Sequence, residues 1–303
     1  MVYTQIGSNK RKTALLITGF LVFIIGLGYL FSYLLETPGL LIAAVVISIV
    51  MSLISYYYSD KIVLRLSRAK EVTRQSHPDL YRMVENLAIT AGLPTPKIYL
   101  IEDTAMNAFA TGRDPKHAVV AFTTGIINRL DKNELEGVTA HELSHIGNYD
   151  IRLSTIIVVL VGIVALFSDW FLRISFFGGA RRNRENGQLG AILAIIGIVL
   201  AILAPIIATI IQLAISRQRE YLADSSGVLL TRYPQGLANA LRKLAADHEP
   251  LEAANKATAH LYIVNPLKAL HGRPQGWFSN LFSTHPPIEE RIRKLEQTDS
   301  QIK

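Results

Sequence analysis

The chain contains no cysteine. Disulfides, thiolate metal sites and a cysteine nucleophile are thereby excluded, and a reducing compartment is compatible. Charge is also scarce. Only 18% of the 303 residues are Asp, Glu, Lys or Arg, against about a quarter in an ordinary soluble domain. Half the residues are hydrophobic and mean hydropathy is +0.28, so the deficit points to lipid-facing segments. Acidic residues fall short of basic ones, leaving a net charge of +7. No stripe of Lys and Arg interleaved with aromatics is present, and the basic residues flank apolar runs. The excess therefore reads as membrane topology, and no nucleic-acid partner is expected. Internal repeats are absent.

Long apolar runs are what the chain has instead. The first spans roughly Thr13 to Leu35 and the second roughly Gly39 to Ser59, joined by the short turn Glu36-Thr37-Pro38. Each is about 20 residues, enough to cross a ~30 Å hydrocarbon core as helix. The first is too long for a cleaved signal peptide and lacks a small-x-small site after it, so it reads as a retained anchor. A third run covers roughly Leu153 to Ser168 and a fourth Leu189 to Ile215, with Pro205 expected to kink it. Four segments follow: a transmembrane hairpin over 1–70, a polar part over 71–152, a second hydrophobic hairpin over 153–215 and a second polar part over 216–303.

Lys10, Arg11 and Lys12 precede the first hairpin, Lys61, Arg65, Arg68 and Lys70 follow it, and only Glu36 sits in its turn. The positive-inside rule puts both flanks in the cytoplasm, giving a multi-pass protein of the cell (inner or plasma) membrane. Arg173, Arg181, Arg182 and Arg184 lie between the third and fourth runs. If both runs cross, that loop is outside, against the rule. Either the first hairpin sets the orientation or the second hairpin does not fully span.

The polar parts read as mainly helical α+β. Pro78 to Ala91 predicts a helix with an early proline, broken by Gly92-Leu93-Pro94. Lys97 to Ile101, Met106 to Thr111 and Ala118 to Thr123 predict strands, and Lys132 to Asn148 a helix. Residues 217–303 carry a helical pattern, with a loop over Gly272 to Phe282 and a frayed tail after Leu295.

The chemistry concentrates in His141-Glu142-Leu143-Ser144-His145. Positions i and i+4 of a helix share a face, so both imidazoles can hold one zinc ion. Glu142 beside them can take a proton from a bound water whose pKa zinc lowers, and pass it to a leaving amine. A catalytic zinc needs a third protein ligand, and no histidine follows at the metzincin spacing. Glu220 is the best candidate. His145 stands about eight residues before the third run, roughly 12 Å of helix, and Glu220 about five after the fourth, roughly 7.5 Å. A hairpin entering and leaving the membrane on one side brings both to similar height. Asp224, four residues after Glu220, shares its helical face and is placed to accept a hydrogen bond from a zinc-bound histidine; an ordinary surface carboxylate is the alternative.

Taken together, Asn107 to Gly112, His141 to Asp150, Arg217 to Asp224, Leu261 to Pro266 and Thr284-His285-Pro286-Pro287 resemble the HtpX-type membrane zinc endopeptidases, within the larger group that includes the CAAX prenyl proteases. The resemblance covers nearly the whole chain. It implies a zincin-like (gluzincin) fold with four hydrophobic membrane helices and one Zn2+ per chain, held by His141, His145 and Glu220 with Glu142 as base. It also implies that the Asn107 segment is an edge strand to which an extended substrate can add. His285 and Arg291 would stabilise the oxyanion; a loop histidine fixed by two prolines is the other reading of His285. Asn148 and Asp150 brace the ligand helix, or Asn148 begins its end. His77, His117 and His260 have no ligand spacing.

The partners implied are protein or peptide substrates and the lipid bilayer; oligomeric state is not legible. Asp131, Lys132, Asn133, Glu134 and Glu136 precede the motif, and charges there are too costly for an intramembrane zinc site. A prenyl-protein protease would need more spans to enclose a chamber. A non-catalytic zinc-binding membrane adaptor would have no use for Glu142.

Overall fold

The computed structural model describes residues 2–34, 36–160, 217–252, 258, 261–264 and 286–302. The first two apolar runs form α1 (Val2–Leu34) and α2 (Gly39–Leu66). Both outrun the apolar stretches that nucleate them: α1, at about 50 Å, is longer than the hydrocarbon core, so its charged first turns stand clear of lipid. Only 17% and 22% of their most apolar windows is buried, which separates them from the core helices of a soluble protein. Leu15, Val22, Ile42, Val46 and Leu53 face outwards, and the buried seam of α2 is Ser48, Ser52, Ser55 and Ser59. Small residues inside and large apolar ones outside is the arrangement of helices solvated by lipid. Residues 150–160 are helical (α6) and take in the start of the third expected span, from Leu153; the rest of that span, the fourth and the arginine-rich loop lie outside the described residues.

The polar part holds a four-stranded sheet in the order β1-β2-β4-β3. It is built from β1 (Lys70–Val72), β2 (Lys97–Ile101), β3 (Ala108–Gly112) and β4 (Ala118–Thr123). β2 and β4 run parallel, and the outer pairs are antiparallel. Every residue of β3 and β4 is buried, because helices or loops cover both faces. On one face Ile98, Val120 and Phe122 pack with Leu80, Val84 and Leu87 of α3 (Pro78–Thr90) and with Val138 and Leu143. On the other, Phe109 and Ala121 meet Val63 of α2, Val158 of α6 and Tyr262. The sheet is thus held between the soluble core and the tops of the membrane helices.

After α4 (Thr124–Arg129), α5 (Lys132–Gly147) carries the histidine motif. Its start is a capping box: Asp131 accepts from the Glu134 N–H, and Glu134 accepts from the Asp131 N–H. This satisfies two orphan donors. α7 (Arg217–Thr231) and α8 (Pro234–Ala246) pack across it. Gly137 and Gly227 permit the close crossings: a Cβ on Gly137 would come within 2.7 Å of the Leu237 amide, and one on Gly227 within 3.1 Å of the His141 amide. The last helix, α9 (Ile288–Ile302), runs on past Leu295. A frayed tail was expected there. Leu295 and Ile292 instead join the core against α8 and carry the helix onward.

Candidate metal centre

α5 presents His141 and His145 one turn apart, their rings edge to face at 4.7 Å. α7 brings Glu220 to them from across the helix crossing. His141 Nε2 and His145 Nε2 lie 3.2 Å apart. Glu220 places Oε2 3.8 Å from the first and Oε1 3.6 Å from the second. Among the described residues these three form the one group whose ligand atoms converge, all within 4.8 Å of one another.

The donor chemistry fits a zinc ion. Each ring is fixed through its other nitrogen: His141 Nδ1 donates to Asp224 at 2.9 Å and His145 Nδ1 to Asp150 at 3.0 Å. Both Nε2 lone pairs are therefore turned towards the same point. The 3.2 Å spacing of the two nitrogens is close to the edge of about 3.3 Å between two nitrogens tetrahedrally bound at about 2.05 Å. Charge agrees. Four buried carboxylates, Glu142, Asp150, Glu220 and Asp224, face two buried guanidiniums, Arg219 and Arg291. The excess of two negative charges is what a divalent cation would balance.

The pKa shifts report the same field. Burial lowers His141 and the Arg291 charge adds to this, against the pull of Asp224, so the ring stays neutral as a ligand must. Burial alone would lower His145 too, but the Asp150 hydrogen bond and the charges of Glu220 and Glu142 outweigh it and raise the ring to about 9. A field that favours a proton there favours a metal cation. Burial pushes Glu142 up to about 7, opposed by His145, reinforced by Glu220, and opposed again by the Ala110 N–H that its carboxylate accepts. That value suits a general base near neutrality. A cleft opens beside these groups, lined by Ala110, His141, Glu142, His145, Arg219 and Glu220.

The family follows from comparison with known proteins. The pattern of Peptidase family M48 matches residues 74–299. The chain belongs to peptidase family M48. Within that family it is similar to the Protease HtpX homolog of Dictyoglomus thermophilum, 46% identical over 97% of this chain and 93% of that one. The Protease HtpX homolog of Tropheryma whipplei (strain TW08/27) is 45% identical over the full length of both. The M48 chain described here is of the HtpX type, and it has two helices long and apolar enough to cross a membrane. A crystal structure of S. mikatae Ste24p aligns with a TM-score of 0.52 at 20% identity, covering 93% of this chain and 65% of that one. The M48 chain spans just under two thirds of its length, and the likeness is one of fold.

The structure distributes the remaining predicted site residues as follows. Asp224 touches His141 and is itself gripped by Arg291, which donates Nε to Oδ2 at 2.9 Å and Nη2 to Oδ1 at 2.7 Å. Burial alone would raise Asp224; the guanidinium and the ring outweigh it and hold the carboxyl down to about 2. Arg291 was expected to face the oxyanion. It is fully buried, and it also lies 3.3 Å from the Ile263 carbonyl, 3.4 Å from His141 Nδ1 and 3.6 Å from Glu220 Oε2. A guanidinium this deep must be paired, and Asp224 is the partner that α7 supplies.

Asn148 is the C-cap of α5 and makes no contact with the rings through its side chain among the described bonds. The left-handed Tyr149 (φ 61°) turns the chain back, and Asp150 meets His145 instead. Asn107, expected on the substrate side, is buried and ties the 261–264 segment down: Nδ2 donates to the Val264 carbonyl at 3.0 Å. β3 is an edge strand, and Ile263 N–H already bonds its Ala108 carbonyl. His285 lies outside the described residues.

Arg219, Arg291 as a partner of Asp224, and Asn9 were not legible as part of the site. Burial of a charge has no one-dimensional signature. Only the i+5 position of Asp150, after a residue able to turn the helix end, hinted at its role.

Proposed function

We propose that this chain is a membrane-anchored zinc endopeptidase that hydrolyses peptide bonds in misfolded or membrane-embedded proteins, with its active site on the cytoplasmic side. One observation carries the reading: two imidazole nitrogens and a carboxylate from a different helix converge on a single point, and a buried carboxylate with a raised pKa stands beside it.

His141, His145 and Glu220 would hold a zinc ion, which would supply the Lewis acidity that lowers a water's pKa towards neutrality. The chain's own groups do the rest. Glu142 takes the proton of the attacking water and returns it to the leaving amine. Asp224 and Asp150 hold the two rings in orientation. The edge of β3 offers Ala110, which lines the cleft, as the place where an extended peptide can lie by main-chain pairing. His285 remains the proposed oxyanion donor, whereas Arg291 acts through Asp224. The parts over 71–152 and 216–303 then make one catalytic unit, with 153–215 a hydrophobic hairpin inserted between them.

The test is cleavage of an unfolded protein by detergent-purified wild type and Glu142→Gln, each with and without a chelator. Cleavage by the wild type alone, lost on chelation, is expected. Equal cleavage by both proteins would remove the mechanism. For orientation, single cysteines placed at Lys70 and Asp131 should be shielded from an impermeant reagent in intact cells. Labelling from outside would reverse the topology.

A further inference from the structure

The first membrane helix reaches the metal centre. Asn9, in the third turn of α1, is buried although its neighbours Lys10 and Arg11 are exposed. Its Nδ2 donates to the Asp150 Oδ1 at 2.7 Å and to the Asn148 carbonyl at 2.9 Å, across some 140 residues of sequence. The other oxygen of Asp150 accepts from His145 Nδ1. A continuous path of hydrogen bonds therefore runs from a side chain of α1 to an imidazole whose far nitrogen faces Glu220.

Below this contact α1 docks along α6 by apolar packing, Phe20 with Ile156 and Leu160, and Leu16 with Leu153 and Ile157. Apolar packing between helices in lipid fixes register poorly, since the surroundings are equally apolar. The amide does fix it: a slip of one residue moves Asn9 by about 1.5 Å, enough to break both bonds. Asp150 needs such a partner. Its carboxylate is buried, and apart from His145 and Asn9 its described side-chain contact is Arg219 Nη1, at a long 3.5 Å.

We infer that Asn9 is a positioning residue for the metal ligand His145, acting through Asp150, so that the first membrane helix is a working part of the metal centre and not only an anchor. This rests on the zinc reading of the site. Groups that orient a metal-ligating imidazole, as Asp150 does, typically shift metal affinity by about 10- to 100-fold, and Asn9, removed by one further bond, should lie at the lower end.

The experiment uses full-length protein in detergent, stripped of metal, with zinc affinity read by competition against a chromophoric chelator and the melting temperature of the stripped protein read alongside. Asn9→Ala is expected to weaken zinc binding about tenfold. Thr13→Val is the control. Thr13 is buried one turn further along α1 with no bond from its hydroxyl among the described residues, so this change tests packing alone and should leave affinity within about twofold of wild type. Should Asn9→Ala fail to fold, Asn9→Gln decides. It keeps an amide but displaces it by a methylene, and a loss of about threefold at an unchanged melting temperature supports the inference. Wild-type affinity in the folded Asn9 variant, or an equal loss in Thr13→Val, overturns it. Tight zinc binding unaffected by Asn9→Ala would sink this inference alone, whereas no tight binding in the wild type would sink the metal reading and this inference with it.

Discussion

Asp224 and Arg291 form a buried pair whose geometry decides what His141 can do. The carboxylate accepts two bonds from the guanidinium and one from the ring. Asp224→Asn keeps the shape but removes the carboxylate that grips the buried Arg291 with two bonds, leaving Glu220 at 3.6 Å as its remaining close counter-charge. The expected result is a loss of about 3–5 kcal/mol of stability, read by denaturant unfolding, and zinc affinity lower by about 10- to 100-fold. Arg291→Lys should fail to restore either, because an ammonium cannot span both carboxylate oxygens. The convergence of His141 and His145 was legible because it is local: two histidines at i and i+4 must share a helix face. Glu220 was legible from the symmetry of a hairpin. The pairing of Arg291 with Asp224 was not legible, because a resemblance marks a position as belonging to the site without saying which neighbour it faces.

At the level of elements, the site depends on how closely α7 and α8 cross α5. Gly137→Ala would drive a methyl into the α8 backbone, where no flexible side chain can give way. A loss of about 1–3 kcal/mol is expected. Gly227→Ala asks for only a few tenths of an ångström at His141. It should cost less stability but lower zinc affinity, since it moves the helix that carries Glu220; equal effects of the two changes on affinity would contradict this.

Asp247, at the end of α8, is a second joint. It accepts the Met106 N–H at 2.7 Å and pairs with Arg129 at 2.9 Å. Burial would raise its pKa, but these bonds outweigh it and lower the carboxyl. A depressed folded value means that the stability it contributes is present above the unfolded pKa of about 3.9 and is lost as pH falls through the folded value. Asp247→Asn should therefore be most destabilised at neutral pH and converge with wild type in acid; a constant difference across pH would refute the linkage.

The strands at 97–101 and 118–123 were legible in the sequence to the residue, since short apolar runs bounded by turn residues leave few alternatives. β1 was not. Three residues in mixed burial carry no period, and only pairing with β2 makes them a strand.

On the scale of the whole molecule, the two long apolar helices meet the polar part beside the candidate metal centre. Val63 of α2 and Val158 of α6 pack under the sheet, and Asn9 of α1 reaches Asp150. Removing residues 1–70 should therefore cost more than membrane attachment: the remaining chain is expected to lose zinc as well as solubility. Zinc retained at wild-type affinity by a soluble truncated protein would show that the hairpin is only an anchor.

The most direct measurement of the central claim is anomalous X-ray diffraction at the zinc edge from crystals of the zinc-loaded protein. One peak per chain is expected, within about 2.1 Å of the Nε2 atoms of His141 and His145 and of a Glu220 oxygen. A peak elsewhere, or one with the Glu220 carboxylate outside bonding distance, would contradict the account.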